Sequence, residues 1–161
     1  MVQDEPTTVE FPLAGGAVNQ TPRRIIVHCM AEYVPGSPSN QHATELLKSL
    51  GLSAHALIAP DGTIIRCRQD WEGAYHAKGH NESSLGVEFL VPGVYDYGQF
   101  LKRIKTPYLT KEQYASGVYL VSHWAQQYAI LDIQRHSDVD PSRKYDPGNG
   151  FPWTSFLQDI K

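Results

Sequence analysis

The sequence predicts an α/β domain built on a single mixed central β-sheet flanked by α-helices, and three observations carry that prediction. Ile25-Ile26-Val27 and Leu85-Gly86-Val87-Glu88-Phe89-Leu90-Val91 are apolar runs rich in β-branched residues, the pattern of buried strands. Asp61-Gly62, set between two shorter apolar runs, is a hairpin signal. Residues 111–128 repeat apolar side chains at helical spacing. Strands alternating with helices of these lengths pack as layers around one core.

The elements follow in chain order. Residues 1–22 are rich in Pro, Thr and Gly and are expected to wrap the surface as an arm, leaving residues 23–161 as the domain. Residues 24–29 read as the first buried strand, and Val34-Pro35-Gly36-Ser37-Pro38 as a loop. A short helix follows, capped by Ser39 or Asn40, with Ala43, Leu46, Leu47 and Leu50 on one face and Gly51 as its stop. Residues 54–59 and 63–68 form the hairpin arms, and 85–91 the next strand. For the long helix, Thr110 and Gln113 can make a capping box. Its apolar stripe runs through Tyr114, Val118, Val121, Trp124, Ala125 and Tyr128. Residues 130–134 read as a last short strand leading to His136, and 153–160 as a closing helix.

Composition limits the function classes. A chain of 161 residues suits one domain that buries roughly 70% of its unfolded surface. Fourteen basic against seventeen acidic residues give a net charge of −3, which argues against a nucleic-acid partner held through phosphates. No apolar run approaches the roughly 20 residues needed to span a bilayer, so no membrane partner is expected. Met1-Val2-Gln3-Asp4-Glu5-Pro6 is acidic and lacks an apolar core, so a cytoplasmic product without a signal peptide is expected. Cys29 and Cys67 cannot make a disulfide framework, and whether they pair stays open. A monomer is expected.

The chemistry concentrates in Arg135-His136-Ser137-Asp138-Val139-Asp140-Pro141-Ser142-Arg143-Lys144-Tyr145-Asp146-Pro147-Gly148. Far upstream, His28 ends the first strand run. Two imidazoles and a carboxylate occupy three corners of a zinc tetrahedron and leave the fourth open for water, as catalysis requires. Lys144, two residues before Asp146, would bring positive charge close to that corner. The pattern points to a zinc hydrolase, although His28 can equally be a structural residue at a strand end, and Asp146-Pro147 a turn start.

Glu88 interrupts an otherwise buried run. A carboxylate there faces solvent by alternation, pairs with a base, or acts as a general base with its pKa lifted by burial; the residues leave these open. His76 lies in Gly73-Ala74-Tyr75-His76-Ala77-Lys78-Gly79, ahead of His80-Asn81, a loop suited to a cleft wall. His55 shares the ambiguity of His28. His42 and His123 fall on helices with no evident partner. Cys29 follows His28 directly, so it points to the other face of the strand and into the core.

These residues carry a resemblance. Ile25-Ile26-Val27-His28-Cys29, Ser53-Ala54-His55-Ala56-Leu57-Ile58 with Asp61-Gly62, Ala74-Tyr75-His76-Ala77, Ser83-Ser84-Leu85-Gly86-Val87-Glu88 and the block from His136 to Gly148 occur in one order. That order resembles the zinc-dependent N-acetylmuramoyl-L-alanine amidases of type 2, which share a fold with peptidoglycan recognition proteins and phage lysozyme-type amidases. Phe151-Pro152-Trp153 matches the entry to the closing helix, and the resemblance spans about residues 23–158.

The resemblance implies Zn²⁺ held by His28, His136 and Asp146, at the edge of the sheet in a surface cleft. It makes Lys144 the catalytic lysine and Glu88 the assisting glutamate. Other branches place a tyrosine just before the hairpin histidine; Ala54 stands there, which leaves the role to Glu88. Tyr75 replaces the usual tryptophan before His76. Substrate contacts are expected at His55, His76 and Asn81. The implied substrate is peptidoglycan or a muropeptide, cut at the amide joining N-acetylmuramic acid to L-alanine. Three rivals remain: a peptidoglycan-binding module without catalysis, a hydrolase of another amide, and a protein with merely structural zinc. The implied roles are an endolysin released by a holin, a cytoplasmic enzyme recycling anhydro-muropeptides, or cargo of a secretion system.

Overall fold

The computed structural model describes residues 4–16 and 20–161. The parts of the expected arm at residues 1–3 and 17–19 lie outside the described residues. Within the arm, Thr8–Glu10 forms strand β1. The chain continues through β2 (Arg24–Val34), β3 (Gln41–His42), α1 (Ala43–Leu50), β4 (Ala56–Ile58) and β5 (Ile64–Arg66). Then come β6 (Ser84–Val94), α2 (Tyr97–Arg103), α3 (Lys111–Gln127), β7 (Asp132–Arg135), α4 (His136–Val139) and α5 (Trp153–Asp159). The seven strands form one mixed sheet in the order β1-β5-β4-β6-β2-β3, with β7 also paired to β2.

Alternation along β2 and β6 divides the sheet into two unlike faces. Ile25, Val27, Cys29 and Ala31 of β2 join Leu85, Val87, Phe89 and Val91 of β6 in one core, closed by Leu120, Val121 and Trp124 of α3 and Phe156 of α5. On the other face a smaller cluster joins Leu57, Ile65 and Leu90 to Ala43 and Leu47 of α1. His28 and Glu88 belong by parity to this second face.

Helices α1, α2 and α3 begin where a side chain can cap them. Thr110 and Gln113 form the expected capping box at α3, and Asp96 and Gln99 form another at α2, a helix not expected from the sequence. At α1 the cap is His42, whose ring accepts the Thr44 N–H, in place of the expected Ser39 or Asn40. Leu50 of α1 is 60% exposed, so the expected apolar stripe turns partly away from the core. The buried face of α3 is Gln113, Ser116, Gly117, Leu120, Val121 and Trp124, shifted from the expected aromatic stripe. A Cβ on Gly117 would lie 2.5 Å from Phe89, so the bare backbone admits the Phe89 ring. Gln113 Nε2 donates to the carbonyls of Ile58 and Leu90 and so ties α3 to the sheet.

Cys29 and Cys67 are both buried free thiols, and Cys29 packs in the core as its position beside His28 suggested. Among the described residues no helix is long and apolar enough to cross a membrane.

Candidate metal centre and active site

Strand register assembles the site. Parallel β2 and β7 stay paired up to Val27 and Arg135, and the residue after each is a histidine, His28 still in β2 and His136 opening α4. On the other side of β2, His28 is in register with Glu88 of β6. Asp146 joins from the loop after α4. Ser137 N–H donates to the Asp146 carbonyl, and Lys144 N–H to that of Asp140. The next carbonyl, Pro147, accepts from the Tyr108 hydroxyl at 2.8 Å and the Cys29 thiol at 3.5 Å. The core face therefore anchors the loop that brings the third donor.

Three donor atoms converge. His28 Nδ1 and His136 Nδ1 are 2.9 Å apart, and Asp146 Oδ2 lies 3.2 Å from each. Donors about 2.0–2.1 Å from a tetrahedral zinc stand roughly 3.3 Å from one another, so the spacing fits a small divalent cation with only slight spreading. The donor set, two imidazoles and one carboxylate with no fourth protein ligand among the described residues, suits a zinc site with an open position. Burial lowers the His28 pKa, which favours the neutral ring that a metal needs. Burial opposes ionisation of Asp146, yet its histidine neighbours, His136 first and then His28, take its carboxyl below the usual range. Glu88 lies beside this cluster, Oε1 3.9 Å from His28 Nδ1, and its Oε2 is buried without a partner. Burial and the nearby Asp146 charge push the Glu88 carboxyl well above its ordinary range. A carboxyl held this way takes up a proton more readily than a free one.

The cluster forms the floor of a cleft of about 680 Å³. Lys144 and Glu88 face it, Tyr75, Lys78 and Asn81 line one wall, and Leu46, Leu50 and Tyr97 form an apolar rim. Two imidazoles and a carboxylate at the base of a cleft, with a raised glutamate and a lysine alongside, have the parts for hydrolysing a polarised carbonyl.

A family model described as N-acetylmuramoyl-L-alanine amidase matches residues 18–149. The chain belongs to that amidase family. It is 34% identical over 117 residues to the 1,6-anhydro-N-acetylmuramyl-L-alanine amidase AmpD of Enterobacter cloacae, a match covering 66% of this chain and 56% of that protein. The chain thus spans little more than half the length of that relative. It is 30% identical over 124 residues to the endolysin of Enterobacteria phage T3, covering 75% of this chain and 78% of the endolysin. Among solved structures, the endolysin amidase LysCS from Clostridium intestinale URNW superposes with a TM-score of 0.71 at 26% identity, over 97% of both chains.

In the amidase fold the expected residues separate into groups. His28, His136 and Asp146 meet, with Glu88 and Lys144 beside them. Asn81 lines the cleft, and its Oδ1 accepts the N–H groups of His76 and Ala77, shaping the loop. His76 reaches His28 directly, Nδ1 to Nε2 at 2.9 Å. His55 departs from the expected substrate contact. It is fully buried, accepts the Gly86 N–H at Nδ1 and donates from Nε2 to the Glu72 carbonyl, so both ring nitrogens serve the fold. Sequence reasoning passed over Ser84, Gly86 and Tyr108. A hydroxyl, a glycine and a phenol are ordinary in a strand or loop, and only register and packing bring them to the site.

Proposed function

We propose that this chain is a zinc-dependent hydrolase of the amide between the lactyl group of N-acetylmuramic acid and L-alanine. The observation that carries the reading is the convergence of His28 Nδ1, His136 Nδ1 and Asp146 Oδ2 within 3.2 Å, beside the raised carboxyl of Glu88. The substrate class comes from the family and from the relatives' names, an anhydro-muramyl-L-alanine amidase and an endolysin.

His28, His136 and Asp146 would hold the ion. When bound, zinc supplies Lewis acidity that polarises a carbonyl and acidifies water. Glu88 accepts the proton released by the attacking water and returns it to the L-alanine nitrogen as the C–N bond breaks. One carboxyl beside the cleft suits both steps, because the proton it takes from water is the one it hands to the leaving nitrogen. The Lys144 ammonium faces the same cleft and offsets the negative charge gathering on the carbonyl oxygen. The products are the muramyl carboxylate and a stem peptide with a free L-alanine amine. The apolar rim and the Tyr75–Asn81 wall give the substrate a seat.

Two substrates fit this reading, polymeric peptidoglycan and soluble anhydro-muropeptide, and the two curated relatives stand one for each. The test is mass spectrometry of products after incubating the purified protein with sacculi and, separately, with anhydro-muropeptides, with and without a chelator. The expected result is stem peptides beginning in L-alanine, lost on chelation and restored by Zn²⁺. The substrate that yields them assigns the role. No cleavage of either by zinc-loaded protein would overturn the proposal in favour of a binding module or another amide.

A further inference from the structure

The loop bearing His76 does more than wall the cleft. The residues of β6 on the site face form a graded surface at alternate positions: Ser84, Gly86, Glu88. Ser84 offers a hydroxyl, Gly86 an empty place, and Glu88 the carboxylate. A Cβ on Gly86 would lie 2.5 Å from His76 Nδ1, so the imidazole occupies the volume that any other side chain there would take. Asn81 fixes the backbone under the ring by accepting the His76 and Ala77 N–H groups at 2.9 and 2.8 Å. From that seat His76 spans the gap between Ser84, 3.0 Å from its Nε2, and His28, 2.9 Å from its Nδ1.

The direction of the protons follows from counting them. Ser84 has one hydroxyl proton, and it goes to the His80 carbonyl at 2.6 Å, which has none to give. Ser84 Oγ can then only accept from His76, so His76 Nε2 carries a proton. A neutral His76 is left with a lone pair on Nδ1. His28 Nε2 must donate to it, and the remaining lone pair of His28 falls on Nδ1. That atom is the one that meets His136 and Asp146.

We infer that His76 and Ser84 are positioning residues whose hydrogen-bond relay, ending on the His80 carbonyl, holds the His28 proton on Nε2 and keeps Nδ1 open as a metal donor. The inference rests on the metal reading proposed above. The relay has a real competitor. In the metal-free protein the Asp146 carboxylate, 3.2 Å from His28 Nδ1, offers that nitrogen an acceptor and so draws the proton to the wrong side. The relay opposes this, because a proton on Nδ1 would leave two lone pairs facing each other between His28 and His76. Partners of this kind orient a ligating histidine and set its tautomer, and losing one typically weakens metal binding about 10–100-fold.

The test reads the ring nitrogens directly. In ¹⁵N-labelled, metal-free protein at neutral pH, imidazole ¹⁵N shifts should report His28 protonated on Nε2 and bare on Nδ1. In His76→Phe, which keeps a ring over Gly86 but removes both nitrogens, the proton should move toward Nδ1, and zinc affinity measured by chelator competition should fall about 10–100-fold. His76→Asn, which returns a carbonyl oxygen near the lost Nδ1, should recover part of that affinity. Ser84→Ala leaves His76 in place and should shift the tautomer in the same direction, so the question survives if His76→Phe does not fold. A wild-type His28 protonated on Nδ1, or unchanged zinc affinity in both His76→Phe and Ser84→Ala, would overturn the relay. A wild-type chain that binds no zinc would instead overturn the metal reading, and the tautomer measured in metal-free protein would still decide the relay.

Discussion

The two faces of β2 and β6 are built from neighbouring residues and could hardly be more different. On one face Val27, Cys29, Val87 and Phe89 lie in a close-packed core under α3 and α5. On the other, one residue along, His28 and Glu88 stand in register with each other at the floor of an open cleft. The same backbone hydrogen bonds hold both. A titratable row needs a rigid base if its donor atoms are to stay within a few tenths of an ångström, and a close-packed core on the reverse side supplies that base. The faces are also coupled physically, because Tyr108 and Cys29 reach from the core to the Pro147 carbonyl beside Asp146.

Substitutions on the chemical face should give the largest effects. Asp146→Ala should lose zinc and turnover together while far-ultraviolet circular dichroism stays native; zinc retained at full occupancy would remove Asp146 from the donor set. Lys144→Ala should keep zinc, measured by atomic absorption, and slow turnover by about 10²–10³-fold, the usual loss for one electrostatic partner of a developing oxyanion. Normal turnover would sink that role.

The packed face should respond in stability instead. Phe89 is fully buried, with its ring 5.1 Å from that of Phe151 and 5.9 Å from that of Phe156. Phe89→Ala should cost about 3–5 kcal/mol in urea unfolding, with the rate per folded molecule little changed below the transition. A loss of rate without a loss of stability would contradict the division.

Acid should then destabilise the fold through its buried histidines. Burial pushes the His55 pKa down to about 4. Its folded value is below its unfolded one, so the unfolded chain binds the proton first. Its contribution is complete above about pH 6.5 and is lost as pH falls toward 4, by on the order of 3 kcal/mol. Burial shifts His28 and His76 in the same direction and steepens the loss. Urea midpoints of the metal-free protein at about pH 7.5 and about pH 5 would show it; a flat profile would contradict the burial argument.

The smallest effect should come from the coupling itself. Tyr108→Phe removes one hydrogen bond to the Pro147 carbonyl and should cost about 1 kcal/mol, with somewhat weaker zinc binding. Unchanged zinc affinity would mean that the core face does not help hold Asp146.

Much of this was legible in the sequence, and the rest was hidden for definite reasons. Ile25-Ile26-Val27 and the run through Leu85 announce their strands because burial on both faces leaves a nearly continuous apolar signal, interrupted by charge only at Glu88. The expected end of the first strand near Cys29 fell short of Val34, since Glu32 and Tyr33 interrupt that signal. The capping box at Thr110 was readable, whereas His42 is not among the usual capping residues and α2 is short and mostly exposed. The stripe of α3 was misplaced because Gly117 faces the core to admit the Phe89 ring and Ser116 to donate to the Gly62 carbonyl, and small residues carry no hydrophobic signal.

At the site, His28, His136, Lys144 and Asp146 were visible as a spacing, and Glu88 as a charge inside an apolar run. The roles of His76, Ser84 and Gly86 depend on which atoms face which across two loops and a strand, and local pattern does not encode that. His55 illustrates the converse: a histidine in a hairpin reads like a ligand contact until its two nitrogens are found bonded to Gly86 and Glu72.

In the proposed function the row on the open face performs the hydrolysis, with Glu88 moving the proton. Turnover of zinc-loaded Glu88→Gln on muropeptide tests it most directly. The change keeps the shape of the side chain and removes its basicity. Zinc content should match the wild type while the rate falls by about 10²–10⁴-fold. Wild-type turnover in a variant with full zinc would contradict the claim.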